Sequence, residues 1–181
     1  VRSPAEFNHA HIPGAFSLPL FDNEQRAIVG TTYKKLSRED AIKIALPMFG
    51  DKMLAMVEAI EKKSKEFQEI NNGDKPLLYV HCWRGGMRSA AVACLLDLYG
   101  FKVMQLVGGY KAYRNWVIAQ YSFPYTIKVL GGYTGSGKTE ILQAIKDAGK
   151  NIIDLEKLAN HKGSSFGALG QAAQPSQEMF E

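Results

Sequence analysis

Two cysteines, Cys82 and Cys94, and two tryptophans are all that the 181 residues contain of either type. Two cysteines are too few for a disulfide scaffold, so a reducing compartment is expected. No apolar run approaches the ~20 residues that a membrane helix needs, so no membrane association is expected. No basic-then-apolar leader opens the chain, which leaves secretion without support and makes a cytoplasmic protein the expectation. The chain opens on Val1 rather than methionine and ends at Glu181 inside a polar stretch. A fragment, or the ordered part, of a longer protein is expected. With 46% hydrophobic and 22% charged residues, disorder, collagen and coiled coil are excluded. No internal repeat is present.

Acid is missing locally. The net charge of +4 divides evenly between the two halves. Between Asp97 and Glu140, however, there is no acidic residue, while Lys102, Lys111, Arg114, Lys128 and Lys138 fall in that stretch. Such a stretch can face phosphate or RNA, or be an ordinary solvated surface.

The hydrophobic pattern alternates between strand and helix. Residues 12–20 read as a turn and a short strand. Residues 37–49 and 51–70 read as helices, the second with Leu54, Val57, Ile60 and Phe67 on its apolar face and Asn71-Asn72-Gly73 as its stop. Residues 76–81 have the length and apolarity of a buried parallel strand. A helix over 87–99 stops at Gly100, and a strand over 102–107 closes at Gly108-Gly109. A helix follows over about 110–120, then a linker at 122–125. A strand over 126–130, a Gly-rich loop, a helix over 138–148 and a strand over 151–155 come next. Alternation of this kind predicts an α/β fold, an open parallel sheet with helices on both faces. The break near Phe123-Pro124 divides the chain into domains 1–122 and 123–181. From residue 160 the composition predicts a loop-like tail.

The first motif is His81-Cys82-Trp83-Arg84-Gly85-Gly86-Met87-Arg88-Ser89, between a predicted strand and a predicted helix. Two glycines allow backbone N–H groups to turn inward as a nest. The helix start adds positive potential, and Arg84 and Arg88 add full charges. A cysteine there has its thiolate favoured and serves as a nucleophile. Cys94, mid-helix among apolar neighbours, reads as core packing.

The second motif is Gly132-Tyr133-Thr134-Gly135-Ser136-Gly137-Lys138-Thr139, the P-loop pattern in its strand–loop–helix setting. Backbone N–H groups cradle phosphate oxygens, Lys138 neutralises the terminal phosphate, and the Thr139 hydroxyl is placed for Mg²⁺. Which phosphate compound binds, a diphosphate or ATP, the motif leaves open. Asp154 and Glu156 follow the next predicted strand. Asp154 reads equally as a metal or substrate group and as a helix N-cap.

Val1 to Phe7 and His11-Ile12-Pro13-Gly14-Ala15, with Gly100-Phe101-Lys102-Val103 and Leu106-Val107-Gly108-Gly109-Tyr110, make residues 1 to about 120 resemble a rhodanese-like domain. In that family a loop cysteine carries sulfur or selenium, and Cys82 is the matching position. The five residues between Cys82 and Arg88, with His81 before and Ser89 after, also resemble the loop of cysteine-dependent phosphatases. Such an enzyme usually also wants a general acid. The loop contains none, so one would have to arrive from elsewhere in the fold.

Joined to the P-loop, to Val29-Gly30-Thr31-Thr32-Tyr33-Lys34 and to residues 155–167, the loop resembles the bacterial tRNA 2-selenouridine synthase family. That resemblance implies a tRNA-modifying enzyme that replaces the sulfur of wobble 2-thiouridine by selenium. Selenophosphate would be the donor, and an S-geranyl intermediate would form from geranyl diphosphate. Cys82 would handle selenium and the P-loop would hold a diphosphate. tRNA would be held largely through its phosphates. A phosphatase, or a non-catalytic rhodanese-like module regulated by a P-loop switch, are the alternatives. A P-loop unit that ends early would leave a sheet edge unpaired, so association between copies is also expected.

Overall fold

The structure, a computed structural model, describes residues 1–133 and 135–181. Thr134 lies outside the described residues. The chain forms two compact units, Val1–Val117 and Ile118–Glu181.

In the first unit, local capping sets the helix starts. α1 spans Pro4–His9, with proline inside its first turn, where a missing N–H costs nothing. α2 spans Asn23–Lys35. Asp22 caps it reciprocally with Gln25: the Gln25 N–H donates to Asp22 Oδ1 (2.8 Å), and the Asp22 N–H donates to Gln25 Oε1 (3.2 Å). α3 spans Arg38–Gly50 behind Ser37, whose Oγ accepts from the Asp40 N–H. α4 spans Met53–Ile70 and ends where Asn72 and Gly73 turn left-handed. β1 (Leu77–Val80), α5 (Met87–Leu98) and β2 (Lys102–Gln105) form a β–α–β unit. The two strands pair in parallel, from Leu77 opposite Lys102 to Val80 opposite Gln105. α6 spans Gly109–Gln120.

The core gathers Leu20, Phe21, Met56, Val57, Ile60, Val80, Val92 and Leu96. Three expectations change here. The segment 12–20 is no strand. Pro13-Gly14 makes a turn with Gly14 at φ 76° and the Ala15 N–H on Ile12 O. Pro19 then has no N–H to give a ladder, so Leu18, Leu20 and Phe21 reach the core from irregular backbone. On α4, Met56, Val57 and Ile60 are buried, whereas Leu54 is 70% and Phe67 43% exposed. Cys94 is exposed rather than core. α5 buries Ser89, Val92 and Leu96, and Cys94 falls about 200° around the helix from Val92.

The second unit holds α7 (Lys138–Asp147), α8 (Leu155–Ala159) and α9 (Gln177–Phe180). The strands expected over 126–130 and 151–155 are absent among the described residues. A strand exists through its ladder, and neither segment has one. Ile127, Val129 and Ile153, which a buried strand would hide, are exposed. Among the described residues the sheet is the parallel pair β1–β2, in keeping with the expected α/β fold. The tail from residue 160 is irregular apart from α9. No helix among the described residues is long and apolar enough to cross a membrane.

Candidate active site

β1 delivers the cysteine loop and α5 takes it up. The loop ends at Gly86, the N-cap of α5. Cys82 is 4% exposed. Its Sγ accepts from the Gly86 N–H and the Ser89 hydroxyl, both at 3.3 Å. Burial pushes the thiol up. The Ser89 hydroxyl and the amides of Ser89, Arg84 and Gly86 outweigh it and hold Cys82 below the ordinary thiol range. His81 is shifted down, chiefly by burial, which leaves the imidazole beside the cysteine neutral at pH 7.

The two arginines part company. Arg84 is exposed on the loop. Arg88 forms an ion pair with Glu6 of α1: Nη1 to Oε2 at 2.8 Å and Nη2 to Oε1 at 3.5 Å. Arg26 reaches the same carboxylate at 3.2 Å, and the Ser3 N–H donates to it at 2.9 Å. Burial would raise the Glu6 carboxyl. Arg88, the Ser3 amide and Arg26 prevail and lower it to about 2. The charge of Arg88, expected at an anion cradle, is paired with an acid 82 residues away.

Backbone contact fixes the loop against α6. The N–H groups of Tyr110 and Lys111, in the first turn of α6 where the helix itself offers no acceptor, donate to Cys82 O and Trp83 O, each at 2.9 Å. Gly85 (φ 65°) and Gly109 (φ 59°) make the approach possible. A Cβ on Gly109 would meet Gly85 N and lie 2.5 Å from Cys82 O. One on Gly85 would lie 2.5 Å from Leu106 O. Gly86 faces open space, so of the loop's two glycines Gly85 answers to packing and Gly86 supplies the amide on sulfur.

Three residues outside the sequence-level reading complete the site: Glu6, Arg2 and Gln105. Arg2 is 3% exposed and donates to Ala10 O (2.6 Å). Its guanidinium lies 4.0 Å from the Tyr110 ring centroid and 5.2 Å from that of Trp83. The indole beside the cysteine is thereby held. Gln105, the last residue of β2, donates from Nε2 to Gly85 O (2.5 Å), Ser89 Oγ (2.8 Å) and Gly86 O (3.2 Å). For Glu6, the Ser3-x-x-Glu6 spacing of a capping box was the available signal. Arg2 and Gln105 carry none. Met87 is partly exposed at the first turn of α5.

The phosphate loop lies in the second unit. Gly135 (φ 80°) and Gly137 (φ 77°) take left-handed conformations, and Gly137 caps α7. Lys138 Nζ donates to Gly132 O (3.0 Å) and Tyr133 O (2.8 Å). Its ammonium is thus folded over the loop that it follows. A Cβ on Gly132 would lie 2.7 Å from Ser136 Oγ. Thr139 is exposed on the first turn of α7. Asp154 is an N-cap: its Oδ1 accepts from the Lys157 N–H at 3.0 Å. Glu156 follows it, exposed on α8. Among the described residues, no group of three or more His, Cys, Asp or Glu is placed to hold a metal.

A loop cysteine held at a helix N-terminus in a parallel β–α–β unit is the arrangement expected of a rhodanese-like domain. The chain belongs to that family, whose model matches residues 1–115. Residues 125–181 match the tRNA 2-selenouridine synthase AAA domain. Relatives named tRNA 2-selenouridine synthase align with all or nearly all of the chain. That of Nitrosomonas eutropha is 36% identical over 184 residues, covering 100% of this chain and 45% of the relative. That of Sulfurovum sp. is 40% identical over 171 residues, covering 92% of this chain and 44% of the relative. The chain thus spans less than half the length of the curated relatives it matches. Its fold is similar to a crystal structure of the N-terminal domain of a protein described as ATP/GTP-binding, from Clostridium difficile 630. The TM-score is 0.55 and the identity 36%, over 65% of this chain and 85% of that one.

Proposed function

We propose that this chain supplies the cysteine loop and the phosphate loop of a tRNA 2-selenouridine synthase. The protein would exchange the sulfur of wobble 2-thiouridine in tRNA for selenium, with Cys82 as the selenium-carrying nucleophile. Selenophosphate is the donor in this reading, and geranyl diphosphate supplies the S-geranyl intermediate, which makes sulfur a better leaving group. The Gly132–Thr139 loop holds a diphosphate or nucleotide, with Lys138 as its counter-charge and Thr139 as the hydroxyl that would meet Mg²⁺. The exposed Lys102 and Lys111 are available to tRNA phosphates.

The observation that carries this reading over a phosphatase is the Glu6–Arg88 pair. A phosphatase loop needs its arginine on the phosphate and an acid able to give a proton to the leaving group. Here the arginine is engaged by the one acid that reaches it from α1, and that acid, lowered to about 2, has no proton to give at neutral pH. The regulated non-catalytic module is disfavoured by a buried thiol held below its ordinary range. The test uses the full-length protein. Incubation with selenophosphate should leave a selenium adduct on Cys82 by mass spectrometry, and adding geranyl diphosphate and 2-thiouridine tRNA should yield selenouridine tRNA. Rapid Cys82-dependent hydrolysis of an aryl phosphate without tRNA product would reverse the ranking.

A further inference from the structure

The Cys82 sulfur takes one of its two hydrogen bonds from a hydroxyl, and a hydroxyl turns. Ser89 Oγ has a single proton and two acceptors within reach, Gly86 O at 3.0 Å and Cys82 Sγ at 3.3 Å. What decides its direction is the third group at that oxygen. Gln105 Nε2 donates to Ser89 Oγ at 2.8 Å and to the carbonyls of Gly85 and Gly86. Two carbonyl oxygens carry no proton, so the amide must present its NH₂ and not its oxygen to them.

The NH₂ group has two protons, and its two shortest contacts, Gly85 O and Ser89 Oγ, take them. Ser89 Oγ, acting as an acceptor, becomes a stronger donor. That favours a hydroxyl proton pointed at sulfur, most of all when the sulfur is anionic.

We propose that Gln105 is a positioning residue that keeps the Ser89 hydroxyl aimed at the Cys82 sulfur while clamping the Gly85–Gly86 turn. β2 is thereby joined to the nucleophile, although Gln105 stands 23 residues beyond Cys82 and on the neighbouring strand. The assignment rests on Cys82 as the nucleophile of the proposed site. Its test needs neither selenium nor tRNA, so it can fail while the functional reading stands.

The experiment is the rate of Cys82 alkylation by iodoacetamide against pH, resolved at that cysteine by mass spectrometry on the full chain. Gln105→Leu should move the midpoint upward by roughly half to one pH unit, so that the rate at pH 7 falls roughly threefold to tenfold with the high-pH plateau unchanged. Ser89→Ala should move it likewise, and the double variant no further than Ser89→Ala alone. The other charged and titratable groups near the loop, the Val1 ammonium, Arg2, Glu6, His81, Arg84 and Arg88, are the same in every variant. If Gln105→Leu does not fold, Gln105→Met, closer in shape and equally without a donor, carries the same comparison. A Gln105 profile that overlays the wild type overturns the proposal. So does a double variant whose shift is the sum of the single ones, because Gln105 would then not act through Ser89. A plateau change with an unmoved midpoint marks a structural role only and overturns it too.

Discussion

Arg88 and Glu6 face each other with both guanidinium amines toward both carboxylate oxygens, at 2.8 and 3.5 Å. The bond ties the first turn of α5, which follows the cysteine loop, to α1. It makes the loop's stability a function of one carboxyl group.

The sign of the pH effect follows. The Glu6 carboxyl lies at about 2 in the fold against 4.5 ordinarily, so it stabilises the folded state above the ordinary value. That contribution, on the order of 2–3 kcal/mol, is lost as pH falls through the window from about 4.5 to about 2. Urea midpoints measured across that window should drop steeply in the wild type. In Glu6→Gln the drop should flatten, with stability at pH 7 lower by about 2 kcal/mol. Parallel curves would show that Glu6 is not the group responsible.

Cys82 gives a second pH dependence, of reactivity rather than stability. Its thiol lies below the ordinary range, so its alkylation should rise with pH earlier than that of an exposed peptide thiol. Cys82→Ala should remove that early rise and abolish selenium transfer while leaving the unfolding transition nearly in place. Equal rates for Cys82 and a peptide thiol at pH 7 would rule out the anchored-thiolate account.

Gly109→Ala should be severe. The residue sits at φ 59°, and the added carbon would run into the backbone of Gly85 and Cys82. Left-handed strain alone costs roughly 1–3 kcal/mol, and the overlap adds to it. Gly86→Ala is the control, since open space surrounds that position. Its denaturation midpoint should correspond to a change within about 0.5 kcal/mol. Comparable losses in both variants would mean that the close approach of loop and α6 does not matter.

Lys138→Ala should weaken geranyl diphosphate binding to the full-length protein by roughly 1.5–3 kcal/mol, the usual cost of losing a charge-assisted hydrogen bond. It also frees the Gly132 and Tyr133 carbonyls that the ammonium now holds. Calorimetry with geranyl diphosphate and with ATP decides which ligand uses the loop. Unchanged diphosphate affinity alongside lost ATP affinity would assign the loop to a nucleotide.

What the sequence made legible were features whose cause is local. The β1–loop–α5 path, the Gly100 stop and the glycines of the phosphate loop follow from nearby residues. Strands over 12–20, 126–130 and 151–155 were misjudged because apolar runs propose a strand but a ladder partner makes one. Leu54 and Cys94 were placed in the core because the apolar residues of α4 and α5 spread around the helix, which leaves the buried face ambiguous by one or two positions. The Glu6–Arg88 pair and the reach of Gln105 to Ser89 join residues 82 and 16 positions apart. No spacing within a motif reports them.

The exposure of Cys94 has a practical meaning. α5 begins at the loop that holds Cys82 and carries Cys94 two turns further on, so one short helix bears or borders a sheltered thiol and an open one. Each molecule therefore contains its own reference clock. The ratio of the two alkylation rate constants, taken from the logarithms of the two unlabelled fractions, does not depend on reagent concentration, protein amount or quenching time. A loop opened by mutation, ligand or pH would register as a change in that ratio within a single sample.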